Sequence, residues 1–537
     1  MPRPKLFGPL LRASVSSTTA SMTASRAPRR TAAPPPPLPA TVATCSTGGH
    51  TAVTSVAYRG AVPHRPHLLA LAGLLAACDA PADARAAWLQ TTLVLDNQVF
   101  LDTEPAEGQA KFARMSLGLF AYFRGTLGQY ARDLGQGGGA GRTSSAYTTA
   151  ETADIALIGD PHPENLGSFR RADGTLVLEF NDFDAATYGP FEFDVRRLAL
   201  GFHVAALELG LEPPERHAEA AVRGYVAEIA ALAAGAAAPR EPGRIARHTL
   251  KKAAEDGALR EELQDYTRVV AGERVLFTGD VEPGIAWTTA GHAMTVARDT
   301  VAAVTAAEAQ QIAQVLADWP TTLHDPAALP PAARALKGAV RRHGAGVASY
   351  PAPRFYALLE GPSAALDDDL LLEIRRVYDP AALPGLPRLP SRPFADNGAR
   401  VVALQRALQS TPDCDPLLGH ASPGGAAFRV HDRSKFQRGV DLAKIAEKLA
   451  EDDWHADDVA DLADDAGRLL ARSHARARRQ SGPVALPALA AALAPDPDGF
   501  VAETLAFVAD YAPVVETDHA LFLAALAAVG PSLGYSP

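Results

Sequence analysis

Residues 158–200 read IGDPHPENLGSFRRADGTLVLEFNDFDAATYGPFEFDVRRLAL, and the rest of the chain is understood from them. The apolar run Asp154 to Ile158 predicts a short strand. Gly159 to Gly167, rich in Gly, Pro and Asn, is a tight loop. Arg171-Ala-Asp-Gly174 is a turn before the β-rich run Thr175 to Phe180, so the two sides form a hairpin. Asp182 and Asp184 then stand just past a strand end. Tyr188-Gly-Pro190 breaks the chain, and Phe191 to Leu209 has the spacing of a helix with one apolar face.

An Asp at a loop start, an Asn five residues later and a further Asp beyond a hairpin can converge on one point. One carboxylate, Asp160, can take a proton from a hydroxyl. Asn165, Asp182 and Asp184 offer hard oxygen ligands suited to Mg²⁺ held against phosphate oxygens. A base and metal ligands are the parts that phosphoryl transfer needs. The plainer alternative is a polar turn followed by a solvated strand end. It holds for any one of these residues better than for the ordered set.

Gly159-Asp160-Pro-His162-Pro-Glu-Asn165 resembles the H-G-D-x-H-x-x-N loop of aminoglycoside phosphotransferases and the wider protein-kinase-like superfamily. Asn181-Asp182-Phe183-Asp184, then Tyr188-Gly-Pro and Phe193-Asp194, is similar to the I-D-x-x-D…Y-D-L-A segment of that group. A nearer resemblance is to the bacterial DUF2252 family, with the patterns F-x-F-x-R-G, G-D-x-H-x-x-N-F-G, N-D-F-D-E and W-E-x-D-x-x-R-L. They stand here as Phe120 to Gly125, Gly159 to Gly167, Asn181 to Ala185, and Phe191 to Leu198. The resemblance runs over roughly residues 85–535 and names no substrate.

Outward from this stretch, the 537 residues allow two to four structural units, and 47% hydrophobic content is ample for a large core. A net charge of −10 argues against a nucleic-acid surface. No basic stripe with interleaved aromatics is present. Residues 1–64 lack Asp and Glu and include the run Pro34 to Pro37, a composition that cannot bury a core. They read as a transit peptide or as sequence ahead of a misplaced start. His64-Arg65-Pro-His67 is a weak basic region before the apolar run Leu68 to Cys78, too short for a permanent membrane span and of the length of a signal-peptide core. Leu75-Ala-Ala-Cys78 looks like a bacterial lipobox, in which Cys78 is lipidated and becomes the mature N-terminus; a buried helix ending in Cys is the alternative. After Cys78 only Cys414 remains, so such a mature chain has no intramolecular disulfide.

Lys111 to Leu134 reads as an amphipathic helix. Within it, Arg124 is either a phosphate clamp or a salt-bridged helix residue. Gly135 to Gly141 is a hinge. Beyond the organising stretch, Pro214 to Ala238, Ile245 to Val270 and Ala306 to Ala317 have helical spacing. Gly344-Ala-Gly346-Val-Ala-Ser349 precedes two β-rich runs, Arg354 to Glu360 and Leu370 to Val377, and can lay backbone N–H groups over phosphates or serve as a plain strand turn. By the kinase-like resemblance the second run carries a phosphate-binding Lys, and Arg375 stands in its place, binding bidentately where Lys is a point charge. The helix Gly398 to Gln409 would supply a Glu to orient that cation, and Ala403 stands there instead. The glycine loop follows the acidic loop, the reverse of ordinary kinases, which implies a circularly permuted order. In the basic connector Phe428 to Gly439, Arg433 and Lys435 are substrate contacts or a solvated loop. His474 reads as a packed or hydrogen-bonded core histidine rather than a catalyst. The last helices are Phe500 to Tyr511 and Asp518 to Val529. No P-loop, HExxH or zinc Cys pair is found.

The expected fold is α+β and kinase-like, a helix-rich lobe with a small β-sheet lobe. Its parts are a leader (1–78), a helical region with the acidic loop (79–340), a β-rich lobe (341–440) and a C-terminal helical region (441–537). The expected activity is phosphate transfer to a small-molecule or protein hydroxyl, using Mg²⁺ and ATP or another nucleotide. Asp160 is the base; Asn165, Asp182 and Asp184 are metal ligands; Gly344, Gly346, Ser349, Arg375 and Arg124 hold the donor. The alternative is a non-catalytic, ligand-binding lipoprotein. The expected location is the cell envelope, anchored through Cys78, or the cytoplasm if the leader is unused. No nucleic-acid partner is expected.

Overall fold

A computed structural model describes residues 82–135, 145–236, 240–378 and 394–537. The expected leader with Cys78, and most of the Gly135–Gly141 hinge, lie outside the described residues. Half the chain is helix (51%) and less than a fifth strand (18%), so the class is mixed α+β.

Four helices open the described chain: α1 Ala82–Thr103, α2 Pro105–Met115, α3 Leu119–Gly125 and α4 Leu127–Gly135. The single helix expected over Lys111 to Leu134 is thus divided. Gly118 is extended ahead of α3. After it, the Thr126 hydroxyl bonds back to the Tyr122 and Phe123 carbonyls and ends the turn.

The organising stretch forms β1 Ile155–Leu157, β2 Leu166–Arg170, β3 Leu176–Phe180, β4 Thr187–Gly189 and α5 Phe191–Leu209. β2 and β3 are the expected hairpin, in register from Leu166↔Phe180 to Arg170↔Leu176. β1 pairs with β4. Most of α5 is buried, the apolar run Leu198–Ala206 together with Glu192, Asp194, Arg196 and Arg197 of its first two turns.

α6 Glu215–Ala233, α7 Arg244–Ala258 and α8 Glu261–Tyr266 follow. The helix expected over Ile245 to Val270 stops early because Arg260 takes a left-handed conformation (φ 50°), and Thr267 onward is strand. Six strands occupy a segment expected to be helical: β5 Thr267–Val270, β6 Glu273–Leu276, β7 Gly279–Glu282, β8 Ile285–Thr289, β9 His292–Val296 and β10 Asp299–Ala303. Then come α9 Ala306–Asp318, β11 Leu336–His343, β12 Arg354–Leu359, β13 Leu370–Arg376, α10 Asn397–Leu408, β14 Gly419–Ala421 and β15 Phe428–Asp432.

One antiparallel sheet gathers seven of these in the order β14-β15-β13-β12-β11-β10-β7. Its period-2 alternation is clean on β12. Phe355, Ala357 and Leu359 join Ile312, Val315 and Trp319 of the α9 region on one face. Tyr356 and Leu358 join Leu263 and Tyr266 on the other. The chain closes with α11 Leu442–Ala450, α12 Ala456–Arg476, α13 Leu486–Leu493 and α14 Pro497–Val529. The two last helices expected are one, running through Pro513. Its Phe507, Val508, Tyr511 and Val515 are buried on both sides of the proline, so packing outweighs the lost hydrogen bond. By length and composition α14 could cross a membrane, yet its Asp518 pairs with buried Arg85 of α1 at 2.5 Å.

Candidate functional site

The acidic loop is fixed from below by α5. Asp194, in its first turn, accepts from the Ile158 and Gly159 amides at 2.7 and 3.0 Å. His474 Nε2 lies 3.1 Å from the same carboxylate, and its Nδ1 is 3.0 Å from the Tyr225 hydroxyl. Asp194 and His474 are fully buried, so this triad is a brace. Gly159 has φ +87°, and a Cβ there would meet the Ala185 carbonyl at 2.2 Å. Only glycine lets β1 turn into the loop against the strand-end loop.

One turn further along α5, Arg197 Nε donates to Asp160 Oδ1 at 2.8 Å and Nη2 to the Phe123 carbonyl at 2.8 Å. Its guanidinium lies 3.6 Å from the Phe123 ring centre. Burial pushes the Asp160 carboxyl above its ordinary range, and Arg197 restrains the rise. Asp160 Oδ2 accepts no bond from a described residue. The sequence reading gave Arg197 no role; its signal was a charged position three residues after Asp194, on the same side of α5. His162 packs edge-on to Phe120. Burial, then Arg124 and Arg197, hold its imidazole well below the usual value, hence neutral.

Asn165 ties the two acidic segments together. Its Nδ2 donates to the Asp160 carbonyl at 2.9 Å and to the Asp182 carbonyl at 3.2 Å. Its Oδ1 and Asp182 Oδ2 accept nothing from a described residue. The Asp182 side chain is 42% exposed, so it opens onto solvent.

The sheet meets these groups from the other side. Arg375 of β13 reaches Asp184 Oδ1 at 2.6 Å and Asp182 Oδ1 at 3.3 Å. Its Nη1 lies 3.5 Å from Ser349 Oγ. Burial raises the Asp182 carboxyl, but Arg375 and then Arg429 outweigh it and lower it. Asp184 stays raised by burial, with Arg375 opposing. Gly344 and Gly346 both have positive φ (97° and 77°), and the Gly344 carbonyl accepts from Arg114. The glycine loop therefore reaches the acidic segments through Ser349 and Arg375.

Ala403 is exposed on α10. The carboxylates that orient Arg375 are Asp182 and Asp184 themselves. α10 contributes Arg400 instead, which donates to the Asp184 and Ala186 carbonyls. Arg124 forms an ion pair with Glu164 inside the acidic loop, and Glu164 Oε1 accepts from the Leu442 amide. The guanidinium expected as a phosphate clamp is thus engaged with the loop.

Arg429 was also missed. Register puts Arg354, Arg375 and Arg429 side by side on β12, β13 and β15. Arg429 is 3% exposed and makes no hydrogen bond or ion pair with a described residue. Burial and then Arg375 lower its pKa. The strand pattern gave no warning of it, because three arginines align only once the register is known. Among the described residues, no three His, Cys, Asp or Glu side chains form a group that could hold a metal ion.

No curated protein and no solved structure matches this chain. A family model described as an uncharacterized protein conserved in bacteria (DUF2252) matches residues 104–525, and the chain belongs to that family.

Proposed function

We propose that this chain is a metal-dependent phosphotransferase with a kinase-like, permuted architecture, acting on a hydroxyl of a small molecule or a protein. The observation that carries the reading is the double hydrogen bond from Asn165 Nδ2. It ties the Asp160 and Asp182 segments together, and Asp160 Oδ2, Asn165 Oδ1 and Asp182 Oδ2 accept nothing from a described residue.

The Asn165 and Asp182 oxygens fit magnesium, which keeps waters and substrate phosphates among its ligands and needs only one or two protein carboxylates. Asn165 and Asp182 would hold it, with Asp184 auxiliary. When bound, it would neutralise charge on the phosphate oxygens of ATP or another nucleotide. Asp160 Oδ2 would hold the acceptor hydroxyl and take its proton. A carboxylate kept above its ordinary range by burial is the stronger base. Arg375, Ser349 and the Gly344–Gly346 turn would position the donor phosphates, with Arg429 beside them.

A second reading, a non-catalytic ligand-binding scaffold, draws on the 2.6 Å pairing of Arg375 with Asp184, which sets a cation among the proposed ligands. A lipid anchor at Cys78 in the envelope would favour it, since ATP is scarce there; a cytoplasmic chain would not. Mass spectrometry of the mature N-terminus separates the two locations. The functional test is Asp160→Ala in a Mg–nucleotide turnover assay, with an expected loss of about 10²–10⁴-fold in kcat, as removal of a general base costs. Unchanged turnover, or no Mg–nucleotide binding by the wild type in calorimetry, removes the phosphotransferase reading.

A further inference from the structure

A cavity of about 570 Å³ opens between α7, the connector 433–441 and α11. Its wall is cationic in a chain of net charge −10. Lys252 comes from α7, Lys435 and Arg438 from the connector, and Lys444 and Lys448 from α11. Among the described residues of the lining Asp441 is the one carboxylate, and it caps α11 by accepting from the Ala443 and Lys444 amides. Buried Ile245, Ile445 and Trp454 make an apolar floor. The carboxylates that pair with the cations, such as Glu255, Glu447 and Glu451, are outside the lining. These three are i,i+3 pairs worth a few tenths of a kcal/mol, so Lys252, Lys444 and Lys448 yield to a stronger anion, whereas Lys435 and Arg438 are held by Asp265 and Asp256. The fields converge: after burial, Arg438, Lys252, Lys444 and Lys448 each depress the imidazole of His248.

The cavity is built onto the acidic loop. Val440 N donates to the Leu166 carbonyl at 2.8 Å and Ser168 N to the Arg438 carbonyl at 2.9 Å. The connector is therefore bridged at Gly439 to Gly167 of β2, which begins immediately after Asn165. Leu442 N, at the start of α11, donates to Glu164 at 2.9 Å.

We propose that this cavity binds the anionic group of the acceptor, a small phosphorylated compound whose free hydroxyl is presented to Asp160. The assignment of that hydroxyl rests on the phosphotransferase reading; the anion site itself does not. The volume suits a ligand of that size, and a lysine–arginine wall over an aromatic floor suits a phosphate ester.

The test is calorimetric titration of the full chain with inorganic pyrophosphate, without magnesium, at physiological ionic strength. Saturable binding is expected, weakened at least tenfold by Lys444→Gln/Lys448→Gln and unchanged by Arg375→Gln. The ring C–H resonance of His248, assigned through His248→Gln, is expected to move on titration of the wild type, which needs no folded lysine variant. Absence of saturable binding, or weakening by Arg375→Gln alone, overturns the proposal, the second by moving the anion into the acidic cleft. Cosedimentation with phosphatidylglycerol vesicles is expected to be unaffected by the double substitution; its loss would assign a lipid headgroup and overturn the small-molecule ligand. Pyrophosphate binding without Mg–nucleotide binding would sink the phosphotransferase reading and leave the anion site. Nucleotide binding without pyrophosphate binding would do the reverse.

Discussion

Arg197 holds Asp160 through Nε and is itself 1% exposed. Removing it leaves a buried carboxylate unpaired, which costs more than the pair contributes. Arg197→Met is expected to lower stability by about 3–5 kcal/mol in urea unfolding, whereas Asp160→Ala also strands a buried charge and loses turnover besides. A second residue reports on pH. Asp432, at the end of β15, is pushed up to about 7 by burial, by Asp415 and by Glu262, against Arg260 and His431. Its unfolded carboxyl titrates near 3.9. Below about pH 4 both states are protonated and Asp432 has no effect. Between pH 4 and 7 the unfolded chain releases the proton while the folded one keeps it, so stability falls as pH rises and levels off above 7. Asp432→Asn removes that fall. Its melting temperature is expected to match the wild type near pH 4 and to exceed it increasingly up to about pH 7 and by a constant margin above, the stability difference reaching about 4 kcal/mol.

At the scale of elements, strand register decides what the site contains. Arg354, Arg375 and Arg429 stand in one row because β12, β13 and β15 pair at those residues. A buried arginine with no ion pair is a cost to the fold unless a ligand offsets it. Arg429→Met is therefore expected to leave the melting temperature unchanged or higher while weakening Mg–nucleotide binding about tenfold or more, the worth of a charged hydrogen bond. Equal loss of stability and binding would make Arg429 structural. The same register explains what could be read in advance. The hairpin β2–β3 and helix α5 follow from local periodicity and a Gly-containing turn, so they were legible, as was the order Asp160, Asn165, Asp182, Asp184. Arg400 and Arg429 come from distant elements, and nothing in local spacing ties them to those acids; Arg197 lies on α5 itself, but its reach back to Asp160 appears only once the loop is folded against that helix. The β5–β10 region was missed because its strands are short and mostly exposed, so they lack the apolar alternation that marks a strand.

At the scale of the molecule, the helical core and the sheet each carry part of the proposed site. Asp160, Asn165 and Asp182 hang from α5 and the β2–β3 hairpin; Arg375 and Arg429 belong to the sheet. A nucleotide that touches both halves binds only when both are folded, so it stabilises them together. In the full chain, Mg–nucleotide at one hundred times its Kd is expected to add about 2.7 kcal/mol of stability. Amide exchange should slow in concert at the acidic loop and along β13. Magnesium or nucleotide alone should do less than the pair, since among the described residues no three acidic or imidazole side chains gather to close a cage unaided. Slowing confined to β13 would mean that the arginine row binds phosphate without the carboxylates. Asp160 would then have no substrate beside it, and the chain would read as the ligand-binding scaffold.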